Sequence, residues 1–194
     1  SADGTERLIV GSIAELKKHT KKSGNSYFVM RHGEAENNVR KEVSSDPLVN
    51  HLTEKGKEEV RQSARALKHP GIDVIYASPF LRTKESAEIA ADELDISRSK
   101  IVFDDRLREL GFGSFSGKSY VEFLAYRAAH PPGPDESMMG GESYADVKRR
   151  FGEFIYGLEN SLRDTRVLIV THSVGLEACT AVGRGGDVEM FLEI

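Results

Sequence analysis

The continuous apolar run Tyr27-Phe28-Val29-Met30 constrains this chain more than any other feature. No polar residue alternates with the apolar ones, so a strand there must be covered on both faces, as in parallel sheets. Ile72 to Ala77, Ile101-Val102-Phe103 and Val167-Leu168-Ile169-Val170 read as further strands. Helical patterns lie between them. From Thr53, residues Gly56, Val60, Ala64 and Leu67 fall four, four and three apart and stop before Pro70-Gly71. Ser78-Pro79 reads as the cap and first turn of a helix striped by Thr83, Ala87, Ala90 and Leu94. Residues 118–128 are a candidate helix, and His130-Pro131-Pro132-Gly133-Pro134 is a loop because proline removes donors and fixes φ. Ser143 and Asp146 make a capping-box pattern for a helix whose buried face is Tyr144, Val147, Phe151, Ile155, Leu158 and Leu162. The alternation predicts an α/β fold: a three-layer α/β/α sandwich with a mostly parallel central sheet and a ligand site beyond the carboxyl ends of its strands.

The 194 residues, 39% hydrophobic and 30% charged, suffice for one core. Residues 26–194 are expected to form the domain, and residues 1–25 an extension or linker. Aliphatic content excludes disorder, and no apolar run approaches the ~18 residues of a membrane helix. A net charge of −4 argues against a general nucleic-acid binder, which needs a basic face to displace counterions. The basic cluster Lys17-Lys18-His19-Thr20-Lys21-Lys22 lacks interleaved aromatics and reads as a solvated helix end or linker. A lone cysteine, Cys179, forbids an internal disulfide and reads as a buried hydrophobe. With no leader pattern at the start, a cytoplasmic protein is expected. The chain lacks an initiator Met and stops within the strand-like Phe191-Leu192-Glu193-Ile194, so an excised domain, truncated at its C-terminus, is the expectation.

Two histidines follow strands, His32 after the first and His172 after the last clear one. Arg31 precedes the first, and Arg82 falls in the first turn of the helix after the second strand. Guanidinium forks match phosphate oxygens, and helix N-termini add backbone donors, so this set reads as a phosphate pocket. A neutral imidazole there can attack phosphorus and split transfer into two easier steps. A single Arg-His pair is more often a surface or capping pair, so the case rests on the set.

Arg31-His32-Gly33-Glu34-Ala35-Glu36-Asn37-Asn38 resembles the signature of the histidine phosphatase superfamily, phosphoglycerate mutase-like branch. Leu52-Thr53-Glu54-Lys55-Gly56 is similar to its Leu-Thr-x-x-Gly helix start, and Ser78-Pro79-Phe80-Leu81-Arg82-Thr83 to its Ser-Pro-x-x-Arg segment. Leu107-Arg108-Glu109, with Gly113 and Gly117, is similar to its Leu-x-Glu segment, Gly140-Gly141-Glu142-Ser143 to its helix-opening turn, and Thr171-His172 to its second histidine.

The resemblance implies a phosphoglycerate mutase-like fold and roles for the matching residues. His32 is the implied nucleophile, and Arg31, Arg82 and His172 bind the transferring phosphoryl group. Asn38 adds a hydrogen bond, although Asn37-Asn38 fit turn residues equally well. Glu109 protonates the leaving oxygen and then acts as base for water. Ser173 stands where the family usually has Gly and can still serve a helix N-terminus on the substrate side. The chain is expected to end before the helix and antiparallel strand that normally finish the sheet. Attack needs a neutral His32, which Arg31, Arg82 and His172, if cationic, would favour; Glu109 needs burial or a neighbouring anion to hold its proton.

No metal and no cofactor is expected, since no His-Glu-x-x-His or paired Cys/His pattern occurs. The expected activity is hydrolysis of a phosphomonoester through a phosphohistidine, on a phosphorylated small molecule or phosphoprotein. A phosphoglycerate mutase is the alternative, but the 63 residues from Glu109 to His172 are short for the long insertion of cofactor-dependent mutases. A non-catalytic phosphate-binding module of a larger protein is the third reading. His19, His51, His69 and His130 belong to no motif and are expected on the surface. Glu34 and Glu36 either shape the substrate site or solvate a loop.

Overall fold

Along β1 (Ser26–Arg31), successive side chains enter opposite cores, Tyr27 and Val29 one and Phe28 and Met30 the other. The structure, a computed structural model, describes residues 23–193 apart from 70, 134, 138, 187 and 188, and from 184 onward only the backbone. After β1 come α1 (Glu36–Val39), α2 (Glu54–Ala66), β2 (Val74–Ala77), α3 (Leu81–Glu93) and β3 (Ile101–Phe103). Then follow α4 (Tyr120–Ala129), α5 (Tyr144–Ser161), β4 (Arg166–Thr171), α6 (Ser173–Gly186) and β5 (Glu189–Glu193). The strands lie in the order β3-β2-β4-β1-β5, and every pairing among the described strands is parallel.

Both faces of this sheet are covered, as the unbroken apolar runs require. One layer is α2 and α3, which bring Val60, Ala64, Leu67, Ala87 and Ala90 onto Phe28, Met30, Leu168 and Val170. The other is α5 and α6, whose Phe151, Ile155, Cys179 and Val182 pack with Tyr27, Val29, Val167 and Ile169. Thr53 caps α2, its Oγ1 accepting from Gly56 N–H at 3.0 Å. The capping box of α5 is reciprocal: Ser143 Oγ accepts from Asp146 N–H and Asp146 Oδ2 accepts from Ser143 N–H, each at 3.1 Å.

Four expectations need adjustment. Ser78-Pro79 does not cap α3: Phe80 is its N-cap, and the Ser78 side chain serves a histidine instead. The second strand begins at Val74 rather than Ile72, because Asp73 turns its carboxylate to Arg166, accepting from that residue's N–H at 2.8 Å. The candidate helix at 118–128 starts at Tyr120, after the cap Ser119, whose Oγ accepts from Val121 N–H at 3.2 Å. A helix is present after β4: α6 is followed by β5, which pairs with β1 in parallel and not in the antiparallel sense expected of the closing strand.

Residues 1–22, with the basic cluster and His19, lie outside the described residues. Ser23 and Asn25 are buried: Ser23 Oγ donates to Glu159 at 2.7 Å, beside the Tyr27 hydroxyl, which donates to the same carboxylate at 2.8 Å. No helix among the described residues is long and apolar enough to cross a membrane.

Two glycines set the upper edge. A Cβ on Gly33 would collide with the carbonyl of Gly56, and one on Gly56 would collide with the backbone of Glu34. The start of α2 can therefore lie directly against the loop that follows β1.

Candidate active site

Sheet order decides which loops meet. Because β2, β4 and β1 are neighbours, Ser78, His172 and His32 stand side by side just past their carboxyl ends. Backbone bonds hold the row: Ser78 N–H donates to Val170 O and His32 N–H to Thr171 O, both at 3.0 Å. The two imidazoles are buried and meet edge-on, with centroids 5.2 Å apart.

His32 Nδ1 lies 2.8 Å from Gly33 O. A carbonyl can only accept, so Nδ1 carries the proton and Nε2 keeps its lone pair. That Nε2 accepts from Arg82 Nε–H at 3.1 Å. Burial, then the charges of Arg82 and Arg31, hold the His32 pKa well below the usual histidine value, so the ring is neutral.

His172 is held by its neighbour: its Nε2 lies 2.8 Å from Ser78 Oγ, which also accepts from Phe80 N–H at 3.4 Å. Its Nδ1 is a buried atom with no hydrogen-bond partner among the described residues. Burial and the Arg82 charge lower its pKa as well, so His172 is neutral and adds no charge to the depression of His32.

Arg82, in the first turn of α3, is 2% exposed; its Nη2 donates to Ser44 O at 3.3 Å and its Nη1 has no partner among the described residues. Burial brings its pKa to about 10, so it stays charged at neutral pH. Arg31 Nε is likewise buried with no partner among the described residues. Unsatisfied buried donors each cost about 1–3 kcal/mol, and here they are cationic or aligned beside cations, which suits an anion.

Glu109 is 8% exposed, with Oε1 accepting from Leu110 N–H at 2.9 Å. Burial raises its pKa, opposed by the Leu110 bond and by Arg82 and Arg31. Glu34 goes the other way. It accepts from Lys55 Nζ at 3.0 Å and Thr53 Oγ1 at 2.9 Å, and those bonds lower its pKa, so it belongs to the loop rather than to acid chemistry. Glu36 is exposed and accepts from His51 N–H at 3.2 Å.

Arg31, His32, Asn38, Arg82, Glu109 and Ser173 all line one cleft of about 430 Å³. His172 does not line it; it meets the site through the ring of His32. Asn38 sits in a turn, its Oδ1 accepting from Ala35 N–H at 2.9 Å, and it also lines the cleft. Ser173 opens α6 at the cleft. His51, His69 and His130 are exposed, and Cys179 is fully buried, as expected.

Sequence reasoning missed Arg150. From α5 its Nη1 donates to the carbonyls of Arg106 and Arg108, both at 2.7 Å, and its Nη2 to that of Glu109 at 3.1 Å. Its Nε and Nη2 also grip Glu142 at 3.0 Å, and Glu142 accepts from Gly111 N–H at 2.9 Å. One guanidinium thus holds the backbone on both sides of the Glu109 carboxyl. The available signal was weak, the last residue of Lys148-Arg149-Arg150 beside the apolar stripe of α5, eight residues after the Glu of the Gly-Gly-Glu-Ser piece.

A model of the histidine phosphatase superfamily, branch 1, matches residues 27–194. Over 153 residues the chain is 32% identical to the 2,3-bisphosphoglycerate-dependent phosphoglycerate mutase of Thermoplasma acidophilum, covering 78% of this chain and 72% of that protein. It is 30% identical to phosphoserine phosphatase 1 of Hydrogenobacter thermophilus, over 84% of this chain and 78% of that one. The solved structure of Bacillus stearothermophilus YhfR superposes with a TM-score of 0.71 at 28% identity, covering 84% of this chain and 81% of its own. With the family's model matched along nearly all of the described residues, the chain belongs to the histidine phosphatase superfamily, branch 1.

Proposed function

We propose that this protein is a phosphatase that hydrolyses a phosphomonoester through a phosphohistidine at His32, without metal or cofactor. The observation that carries the reading is the fixed tautomer of His32: Nδ1–H is held by Gly33 O, and the Nε2 lone pair is left beside Arg82. Attack by Nε2 forms an N–P bond as the bond from phosphorus to the leaving oxygen breaks, and Glu109 gives that oxygen its proton. Water then attacks phosphorus, Glu109 takes a proton from it, the N–P bond breaks back to Nε2, and inorganic phosphate leaves. Arg31 Nε and Arg82 Nη1, buried donors with no partner among the described residues, are proposed to hold the phosphoryl oxygens, with His172 joining them from behind the His32 ring. The two guanidiniums offset its charge, the electrostatic contribution on which phosphoryl transfer mostly depends. Asn38 and Ser173 are proposed on the substrate side, and a cleft of this size favours a phosphorylated small molecule over a phosphoprotein.

Mutase-type transfer is the second reading, favoured by the named activity of the Thermoplasma relative. Turnover in heavy-oxygen water with EDTA present separates the two. Hydrolysis puts the label into released phosphate and survives EDTA. Unlabelled phosphoryl returned to an isomeric ester, dependent on a bisphosphorylated primer, would favour the mutase, and loss of turnover restored by a divalent cation would end the metal-free proposal.

Arg82→Lys keeps the charge but loses the planar fork that reaches His32 and Ser44 together. Turnover should fall by about 10²-fold, the lower range for removing one preorganised donor of this kind. Near-normal kcat/KM would make Arg82 a structural residue.

A further inference from the structure

The stretch of chain that carries Glu109 has no regular structure to fix it: one 3₁₀ turn closes at Leu107 and the next opens at Gly113. Every carbonyl from residue 106 to residue 111 nevertheless has a protein donor. Arg150 takes those of Arg106, Arg108 and Glu109. Thr171 Oγ1 takes that of Leu107 at 2.8 Å, Ser45 Oγ that of Leu110 at 3.4 Å, and Glu142 N–H that of Gly111 at 2.8 Å. Half of these acceptors therefore rest on one guanidinium, whose side chain is 11% exposed. Glu142 backs it. Its carboxylate receives the planar fork of Arg150 and the Gly111 N–H together, and a Cβ on Gly141 would collide with the Gly111 carbonyl, so the turn before α5 lies directly on the acid's segment.

The acid depends on this frame. Glu109 Oε1 accepts from Leu110 N–H, a bond that ties the carboxyl to its own backbone. Whatever holds that backbone thus holds the carboxyl against the leaving oxygen. Folding alone asks only that the carbonyls be satisfied, which water can do. Catalysis asks more, since a misplacement of about 1 Å can cost ~10²-fold in rate.

We infer that Arg150, backed by Glu142, is a positioning residue for the Glu109 proton donor, acting on protonation of the leaving oxygen from outside the substrate cleft, which it does not line. This rests on the phosphatase reading above, with Glu109 as its acid.

Arg150→Lys keeps the charge and loses the fork. It should slow hydrolysis of benzyl phosphate roughly 10- to 100-fold. Hydrolysis of p-nitrophenyl phosphate, an ester of similar shape whose nitrophenolate leaves unprotonated, should slow far less. In a Glu109→Gln background the same substitution should add almost nothing on benzyl phosphate, because the acid it places is gone. Glu142→Gln, which weakens the partner of the fork, should show the same selectivity to a smaller degree and replaces Arg150→Lys if that variant does not fold. Equal losses on the two esters, or a loss in the Glu109→Gln background as large as in the wild type, overturns the positioning role and leaves Arg150 a support of the fold. A wild type inactive even on p-nitrophenyl phosphate counts against the phosphatase reading alone, and carbon NMR of the Glu109 carboxyl, identified by its loss in Glu109→Gln, then reads the frame. Burial chiefly raises the pKa of that carboxyl, against the charges of Arg82, Arg31 and Arg150, with the neutral Tyr144 hydroxyl also near. A carboxyl loosened by Arg150→Lys, with the charge kept, should titrate lower, toward the ordinary 4.5. An unmoved titration overturns the inference.

Discussion

His32→Ala should reduce phosphoryl turnover by roughly 10⁶-fold, the scale on which removing a covalent nucleophile acts when its supporting groups have no other partner. The size follows from how the ring is held. Gly33 O fixes the proton on Nδ1, burial and two arginines keep the ring neutral, and Arg82 lies at the attacking nitrogen. Rapid quenching after brief exposure to a radiolabelled phosphate ester should trap acid-labile, base-stable label on the wild type and none on the variant. Label retained in His32→Ala would sink the nucleophile assignment, whatever the residual rate.

Glu109→Gln should slow hydrolysis of alkyl phosphates by about 10²–10⁴-fold, the usual worth of a positioned general acid, and that of p-nitrophenyl phosphate far less. An alkoxide must be protonated as it departs, whereas a nitrophenolate leaves unaided. The pH dependence has a definite sign. His32 has a lowered pKa, so it attacks as the neutral ring above that value, and the rate falls only as pH drops through it, below the ordinary 6.5. Glu109 has a raised pKa, so it holds its proton below that value, and acid function is lost as pH rises through it, above the ordinary 4.5. For an alkyl phosphate, corrected for its own ionisation, kcat/KM should be bell-shaped between these limbs, and Glu109→Gln should erase the alkaline one. Equal losses on both esters, with phosphorylation shown to be rate-limiting, would remove Glu109 from the acid role.

The layers of the fold were legible where local pattern and tertiary burial agree. Tyr27–Met30 and Val167–Val170 are apolar at every position because both sheet faces are covered, and Ser143 with Asp146 caps a helix by bonds within four residues. α6 was not legible. Gly175, Gly183, Gly185 and Gly186 weaken its intrinsic helical signal. Gly175 is nevertheless required, because a Cβ there would strike Thr171 and the Phe151 ring. Packing at the end of β4 overrides propensity. In the site, residues that face the cleft from short motifs could be named from the chain, while their supports could not. Ser78 acts on a histidine 94 residues away, and Arg150 acts on carbonyls more than 40 residues away, contacts that no local period records.

The Gly33–Gly56 contact joins two stretches that look separate in the chain. The Arg-His-Gly and Leu-Thr-x-x-Gly pieces are the two sides of one backbone touch, so a side chain at either would push α2 away from the loop beyond β1. Gly33 also supplies the carbonyl that holds the imidazole proton. The close packing of α2 against that loop therefore also bears on the carbonyl that fixes the His32 tautomer.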